Sequence, residues 1–501
     1  MSLIGLDVGT TGCKAIVFDY SGRILGQGYR EYGVICDAPG KAEQDAERVW
    51  ALACEALREA AFRSNSKDIK ALSISVQGDA IIPVDPNFHP LHNAILGMDY
   101  RSARQAKYCE ETLGAEALFK QTGMRPHPMN SLIKALLLRD LAPKAFDQAF
   151  KIVTYADFVL GRLCGESLID YTMASRTMGF DLASLEWSQP IHQALGLNRD
   201  IWSRPACSGT PAGRILPELA ESLGLPSTLL VVTGGHDQTC AALGAGAVHP
   251  GRGVVSTGTA EVLSTPLPKP VLSQRVFDSF YPCYFHARKG MYFTFALNHC
   301  GGILLRWWRD HFASEEVLEA NHQRLDPYQL IDDRMSSRPS PVMFLPHLNG
   351  SGTPLCDLQS KGAIVGITLS TTRHEIAQAI LEGLTFELRL NIENMEQCGI
   401  DLQQLAAAGG GSKSARWLQM KADILKRPIR TLACREAACL GAAMLAGTAA
   451  GIYRTIDEAV EQTVRYDKEF IPNPEQVDAY EKRYSVYQEI YPSLRKLNEK
   501  L

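Results

Sequence analysis

"IGLDVGTTGCKAIVFD", residues 4–19, runs from an apolar stretch ending at Asp7 through Gly9-Thr10-Thr11-Gly12 and Lys14 into a second apolar stretch, Ala15 to Phe18. This pattern predicts two short strands around a tight Gly/Thr turn. Glycines let backbone N–H groups approach an anion closely, and threonine hydroxyls add donors. Gly9, Thr10, Thr11 and Lys14 are therefore phosphate-cradle candidates. A strand follows the turn where a Walker A loop would lead into a helix. The same residues also suit a plain β-hairpin whose glycines accept positive φ. Asp7 closes a buried strand, where an unpaired carboxylate is costly. Either a turn-capping role or a hydrated Mg²⁺ beside nucleotide phosphates would compensate it.

The stretch has an echo in "GVVSTGTAEVLST", residues 253–265, which sets Thr257, Gly258 and Thr259 between two apolar runs. A third glycine turn lies in "LAAAGGGSKSARWLQMKADIL", residues 405–425. There Gly409, Gly410, Gly411 and Ser412 precede a helix expected to begin near Ser414. Such a turn admits a phosphate or a flat ring, or simply packs tightly.

Further β-rich runs, Ile69 to Val76 and Leu229 to Val232, alternate with helical patterns. In "DAERVWALACEALREAA", residues 45–61, Asp45 can cap a helix along which Val49, Trp50, Ala53, Leu57 and Ala60 recur at helical spacing. The alternation predicts an α/β fold. The length of 501 residues asks for two or three domains. The Gly-rich "GAGAVHPGRG", residues 244–253, suggests a division into 1–248 and 249–501. The closing "PEQVDAYEKRYSVYQEIYPSLRKLNEK", residues 474–500, reads as a terminal helix.

With 51 basic and 55 acidic side chains, net −4, the chain has no field to recruit nucleic acid or an anionic membrane. A small polar ligand fits better. The first residues lack a basic segment followed by an apolar core, and no long uninterrupted apolar run occurs, so a cytoplasmic protein is expected. The 13 cysteines are single and scattered, which implies a reducing compartment. Cys434 and Cys439 lack a second pair or a histidine at ligand spacing, so no zinc site is expected.

Three polar constellations remain. In "TGGHDQT", residues 233–239, Asp237 fits a helix N-cap, although Cys240 stands where a capping box needs Glu or Gln. It equally fits a proton acceptor with Gln238 beside it, in which case His236 should point elsewhere. "VQGDA", residues 76–80, delivers Gln77, Gly78 and Asp79 at a strand end. An ionised Asp79 can accept from two adjacent hydroxyls, or the triplet is only a turn. Asp99 and Arg101, in Gly97-Met98-Asp99-Tyr100-Arg101, either face a polar substrate or hold each other.

Together the opening hairpin, "GGHDQ", "STGTAE" and "AAGGGSKSARWLQMKADIL" resemble the FGGY carbohydrate kinases, a branch of the actin, Hsp70 and hexokinase superfamily, across residues 3–450. "GAIVGITLSTTRHEIAQAILE", residues 362–382, is similar to that family's C-terminal signature at every defined position. The resemblance implies two ribonuclease-H-like (actin-like ATPase) domains flanking a nucleotide/sugar cleft. It implies sugar and phosphates on the first half, adenosine on the second, ATP and Mg²⁺ as cofactors, and a possible homodimer. It assigns proton acceptance to Asp237 and the metal to Asp7. Gln77, Gly78, Asp79, Asp99, Arg101 and Gln238 then belong to the sugar. Gly9, Thr10, Thr11, Lys14, Thr257, Gly258, Thr259, Gly301, Gly302, Gly409, Gly410, Gly411 and Ser412 belong to the nucleotide.

The departures concern the substrate. Gly97 and Leu137 stand where the family usually has Trp, and Gln-Gly-Asp replaces the Gln-Met-His of xylulokinases and the Gln-Arg-Glu of glycerol kinases. A ketopentose such as xylulose is the expected substrate, with a short polyol of the erythritol or glycerol type as the alternative. A nucleotide-gated interaction protein is a remote third reading, disfavoured by the intact Asp237-Gln238 pair.

Overall fold

In the computed structural model, which describes all 501 residues, the two hairpins seed two sheets of the same design. The first comprises β1 (Ser2–Val8), β2 (Gly12–Asp19), β3 (Ile24–Glu31), β4 (Ile69–Val76), β5 (Pro211–Arg214) and β6 (Leu230–His236). Its order is β5-β6-β4-β1-β2-β3, with β1 parallel to β4 and antiparallel to β2. The second comprises β7 (Gly251–Thr257), β8 (Glu261–Leu267), β9 (Tyr284–Phe285), β10 (Tyr292–Asn298), β11 (Leu402–Gly409), β12 (Ile429–Leu432) and β13 (Tyr466–Phe470). Its order is β13-β12-β11-β7-β8-β10-β9.

Aligning β7 on β1 matches every neighbour in sense. β7 is antiparallel to β8 as β1 is to β2, and parallel to β11 as β1 is to β4. The outer pairs agree too, since β11-β12 is parallel and β12-β13 antiparallel, like β4-β6 and β5-β6. The strands β1, β4 and β7 are buried along most of their length, as expected where both faces of a parallel core are covered. Ligands of such sheets gather beyond the carboxyl ends of the parallel strands. Here those ends carry Asp7, Gln77, His236-Asp237, Thr257 and Gly409-Gly410.

The main helices follow the sequence pattern. Helix α1 (Ala46–Ser64) starts at Asp45, whose carboxylate accepts from Arg48 N at 3.1 Å, and it buries Val49, Trp50, Ala53, Leu57 and Ala60. Helix α2 (Asp237–Gly244) continues directly from β6. In the second half, α3 (Arg373–Gln397) opens with a capping box of Thr372 and Glu375, and α4 (Ala415–Leu425) is capped by Ser414. Helix α6 (Pro474–Asn498), which follows α5 (Ala437–Ala449), buries Tyr480, Tyr484, Tyr487 and Ile490 in the second core.

Helix α5 crosses over to the first sheet. Its Leu440, Ala443, Met444 and Leu445 share a core with Leu3, Ile16, Phe18, Val232 and Leu243. A Cβ on Gly441 would fall 1.9 Å from the carbonyl oxygen of Cys240, so α5 and α2 touch backbone to backbone. The small-residue run "AACLGAAMLAG" is thereby explained as a packing surface for the helix that begins at Asp237.

Candidate active site

Asp7 is set by pairing: it faces Lys14 across β1–β2 and Ser75 across β1–β4. Ser75 Oγ donates to Asp7 Oδ1 at 2.6 Å. Burial pushes the Asp7 carboxyl up to about 6, against the lowering effect of that hydrogen bond. Lys14 donates to both carboxylate oxygens of Glu436, at 2.8 Å each, which ties the first hairpin to the start of α5. Both partners keep about a third of their surface exposed (29 % and 32 %).

The turn at residues 9–12 closes through Gly9 N to Gly12 O at 2.9 Å. Three buried side chains clamp it. Gln77 donates to Gly9 O and accepts from Thr10 Oγ1, Gln44 donates to Thr10 O at 2.6 Å, and Tyr32 Oη donates to Gly9 O at 2.7 Å. Gln77, expected at the sugar, thus spends its amide on the phosphate hairpin and on Gln44. Gln44 and Tyr32 had no local sequence signal, because their partners are distant in the chain.

Asp237 is the first residue of α2; the N-cap is His236, and no side chain caps the helix. The N-cap reading is corrected by one position, because β6 stays extended through the two glycines to His236. Asp237 Oδ1 accepts from Gln238 N at 2.6 Å and lies 3.0 Å from His236 Nε2. His236 therefore does not point away from the base as expected. Its other nitrogen, Nδ1, sits 3.4 Å from Tyr284 Oη of β9. Burial and the nearby Arg176 guanidinium hold His236 well below its usual range, so the ring is neutral. Burial first, then the Asp7 charge, push the Asp237 carboxyl up to about 7, with Gln238 N–H and Arg176 opposing.

Asp79 is not a free carboxylate. It is 2 % exposed, with Oδ1 accepting from Arg176 Nε at 3.1 Å and Oδ2 from Arg176 Nη2 at 2.5 Å. Nor is Asp99, which is fully buried and accepts from Ala42 N at 2.8 Å and from Arg101 N at 3.0 Å. Arg101 embraces Asp99 and reaches Glu43 at 2.6 Å. Of the two sequence readings for this pair, mutual holding describes the geometry. Gln238 remains half-buried beside the base.

The second hairpin borders a cavity of about 670 Å³. Thr257, Gly258, Thr259, Gly302, Gly410 and Gly411 all line it. Gly301, Gly409 and Ser412 do not; Gly301 N donates to Thr259 O at 2.9 Å and Ser412 Oγ to Gly409 O at 2.8 Å, so they brace the wall from behind. Thr257 is 2 % exposed, and its hydroxyl donates to Glu261 Oε1 at 2.7 Å and accepts from Lys421 Nζ at 3.0 Å. Lys421 and Glu261 form a buried ion pair at 2.5 Å beneath the turn. No local pattern pointed to that pair, nor to the cavity walls supplied by Ile303, Arg306, Tyr328 and Trp417.

Two Gly/Thr turns, a carboxylate held near neutrality and a glycine-floored cavity are the parts a phosphoryl-transfer site needs. Residues 2–244 match the N-terminal domain, and residues 253–450 the C-terminal domain, of the FGGY family of carbohydrate kinases. The chain belongs to that family. The FGGY kinase is 30 % identical over 501 residues to the xylulose kinase of Bacillus subtilis, covering 100 % of this chain and 98 % of that protein. It is 28 % identical to the autoinducer-2 kinase of Yersinia enterocolitica over 98 % of this chain and 94 % of that one. The ligand-bound xylulose kinase of Lactobacillus acidophilus superposes with a TM-score of 0.90 at 26 % identity, covering 100 % and 99 % of the two chains. The fold is accordingly the two-domain actin-like ATPase fold, and the chain is an ATP-dependent sugar phosphotransferase. No helix is long and apolar enough to cross a membrane.

Proposed function

We propose that this FGGY kinase transfers the γ-phosphoryl group of ATP to a hydroxyl of a ketopentose such as xylulose, with Asp237 as the proton acceptor. The observation that carries the reading is the state of Asp237. Its Oδ1 is occupied by Gln238 N and neighbours His236, while Oδ2 has no partner and the carboxyl is raised to about 7. A base poised near the working pH combines a useful ionised fraction with real proton affinity. Oδ2 takes the hydroxyl proton as the acceptor oxygen bonds to phosphorus and the bond to the ADP oxygen breaks.

A loose transition state leaves the protein mainly the work of positioning and charge neutralisation. Gly9 N–H and Gly258 N–H close the two turns, which leaves the backbone N–H groups of Thr10, Thr11 and Thr259 to hold phosphate oxygens, and adenosine occupies the cavity over Gly410-Gly411. Asp7 suits Mg²⁺: it is a half-buried carboxylate with only Oδ1 engaged, and no group of three or more ligating side chains surrounds it. A cation resting on one carboxylate, waters and phosphate oxygens is the usual magnesium arrangement, and it would neutralise charge on the transferring group. The division of labour follows the halves 1–248 and 249–501, with α5 as the segment of the second that packs on the first. The 13 cysteines are all unpaired, which suits a reducing cytoplasm.

The xylulose kinases among its relatives favour the ketopentose. The Gln77-Gly78-Asp79 turn, whose Asp79 is held by Arg176, departs from the Gln-Met-His of xylulokinases and favours a second reading, a short polyol. ADP release with D-xylulose, L-xylulose, D-ribulose, erythritol and glycerol separates them. The highest kcat/KM on a ketopentose supports the first; the highest on erythritol or glycerol replaces it with the second.

A further inference from the structure

Arg176 ends the short helix Tyr171–Arg176, which Asp170 fixes by accepting from Thr172 N at 2.9 Å and Met173 N at 3.2 Å. The side chain is 3 % exposed. Two of its nitrogens, Nε and Nη2, grip Asp79, while the third, Nη1, is buried and has no partner. The guanidinium lies over the rings of Tyr284 at 5.0 Å and Phe295 at 5.8 Å, both from the second half of the chain. Asp79 holds its end of the pair from a left-handed backbone, φ +67°, a conformation Asp tolerates better than most residues.

Between this pair and the base stands Gly78. A Cβ there would lie 2.8 Å from His236 Nε2 and 3.1 Å from Arg176 Nε. The arginine and the histidine beside Asp237 thus converge on the one residue of the Gln77-Gly78-Asp79 turn that carries no side chain. A buried N–H without an acceptor is costly. A ligand oxygen that reaches it recovers that cost, and a ligand lacking the oxygen does not, which is how buried donors discriminate strongly between analogues.

We propose that Arg176 is a specificity-determining residue of the phosphotransfer: Nη1–H donates to one oxygen of the acceptor sugar, and Asp79 holds the guanidinium in place. The oxygen is a neutral hydroxyl or carbonyl. Asp79 and Asp237 both act on the Arg176 guanidinium, and Asp7 adds its charge beside Asp237, so an acidic sugar is disfavoured. The inference rests on the sugar-kinase reading and not on which sugar is used.

The test takes the sugar that the wild type turns over best and its monodeoxy analogues. In the wild type one analogue should lose tenfold or more in kcat/KM, as expected for an unmet buried donor. Arg176→Lys retains charge and bulk but loses the fork, and should treat that analogue and the parent sugar alike, with KM for ATP unchanged. Removing one partner of a buried pair can unfold a protein, whereas removing both leaves no stranded charge. Arg176→Met with Asp79→Asn, which removes both charges and keeps a residue that accepts the left-handed backbone at position 79, is therefore the second variant, expected to fold and to show the same lost discrimination. Retention of the wild-type analogue preference by either folded variant overturns the proposal, as does a wild type indifferent to every deoxygenation. A best substrate other than xylulose changes the ketopentose reading and leaves this outcome intact.

Discussion

His236 Nε2 lies 3.0 Å from Asp237 Oδ1, so the neutral histidine and the base share one carboxylate oxygen and leave the other free. The same Oδ1 accepts from Gln238 N, which fixes the carboxylate plane at the mouth of α2. The base is oriented by its immediate chain neighbours and charged by its distant ones.

The pH profile follows from that charging. Asp237 is raised to about 7 by burial and by Asp7, with Asp79 adding to the rise and Arg176 opposing it. The ionised form is the active one, so kcat/KM for the sugar should climb about tenfold per pH unit on the acid side and level off above the raised value. A steady-state profile from pH 5.5 to 9 checks this. A flat profile down to pH 5.5 contradicts it.

The same shift has a stability cost of known sign. A carboxyl whose folded value exceeds its ordinary one binds more protons folded than unfolded, so the stability it contributes falls as pH rises from about 4 to about 7. Asp237→Asn removes that dependence. The variant should melt at a higher temperature than the wild type at pH 8, with the difference shrinking as the pH falls towards 5, as thermal denaturation at the two pH values will show.

The hairpins, the two-sheet plan and helix α1 were legible because each is written locally: apolar runs around Gly/Thr turns, and Asp45 before a helical stripe. The partners of the polar residues were not. Asp79 finds Arg176 97 residues away, and Gln77 finds Gln44 33 residues away. Neither separation follows from a periodicity. Helix α5 likewise reads as apolar all round, which predicts burial but not that it would cross to the first sheet. His236 departs from the expectation that it points elsewhere because the chain turns into α2 between the two residues and brings their side chains together.

Lys421 and Glu261 offer a test of the second hairpin. Their side chains are 2 % and 0 % exposed, and both engage Thr257 Oγ1. Lys421→Met leaves Glu261 buried and uncompensated, at a cost of about 3–5 kcal/mol. Adding Glu261→Leu should recover most of that stability, while KM for ATP stays raised because the turn has lost its support. Denaturant unfolding and ATP saturation curves measure the two effects separately.

The central claim is that Asp237 takes the proton of the acceptor hydroxyl, and single-turnover phosphorylation by Asp237→Asn with saturating sugar and ATP tests it most directly. The variant should bind ATP with wild-type affinity and form sugar phosphate at least about a hundredfold more slowly, the lower range for loss of a general base. A rate within a few fold of wild type would contradict the assignment.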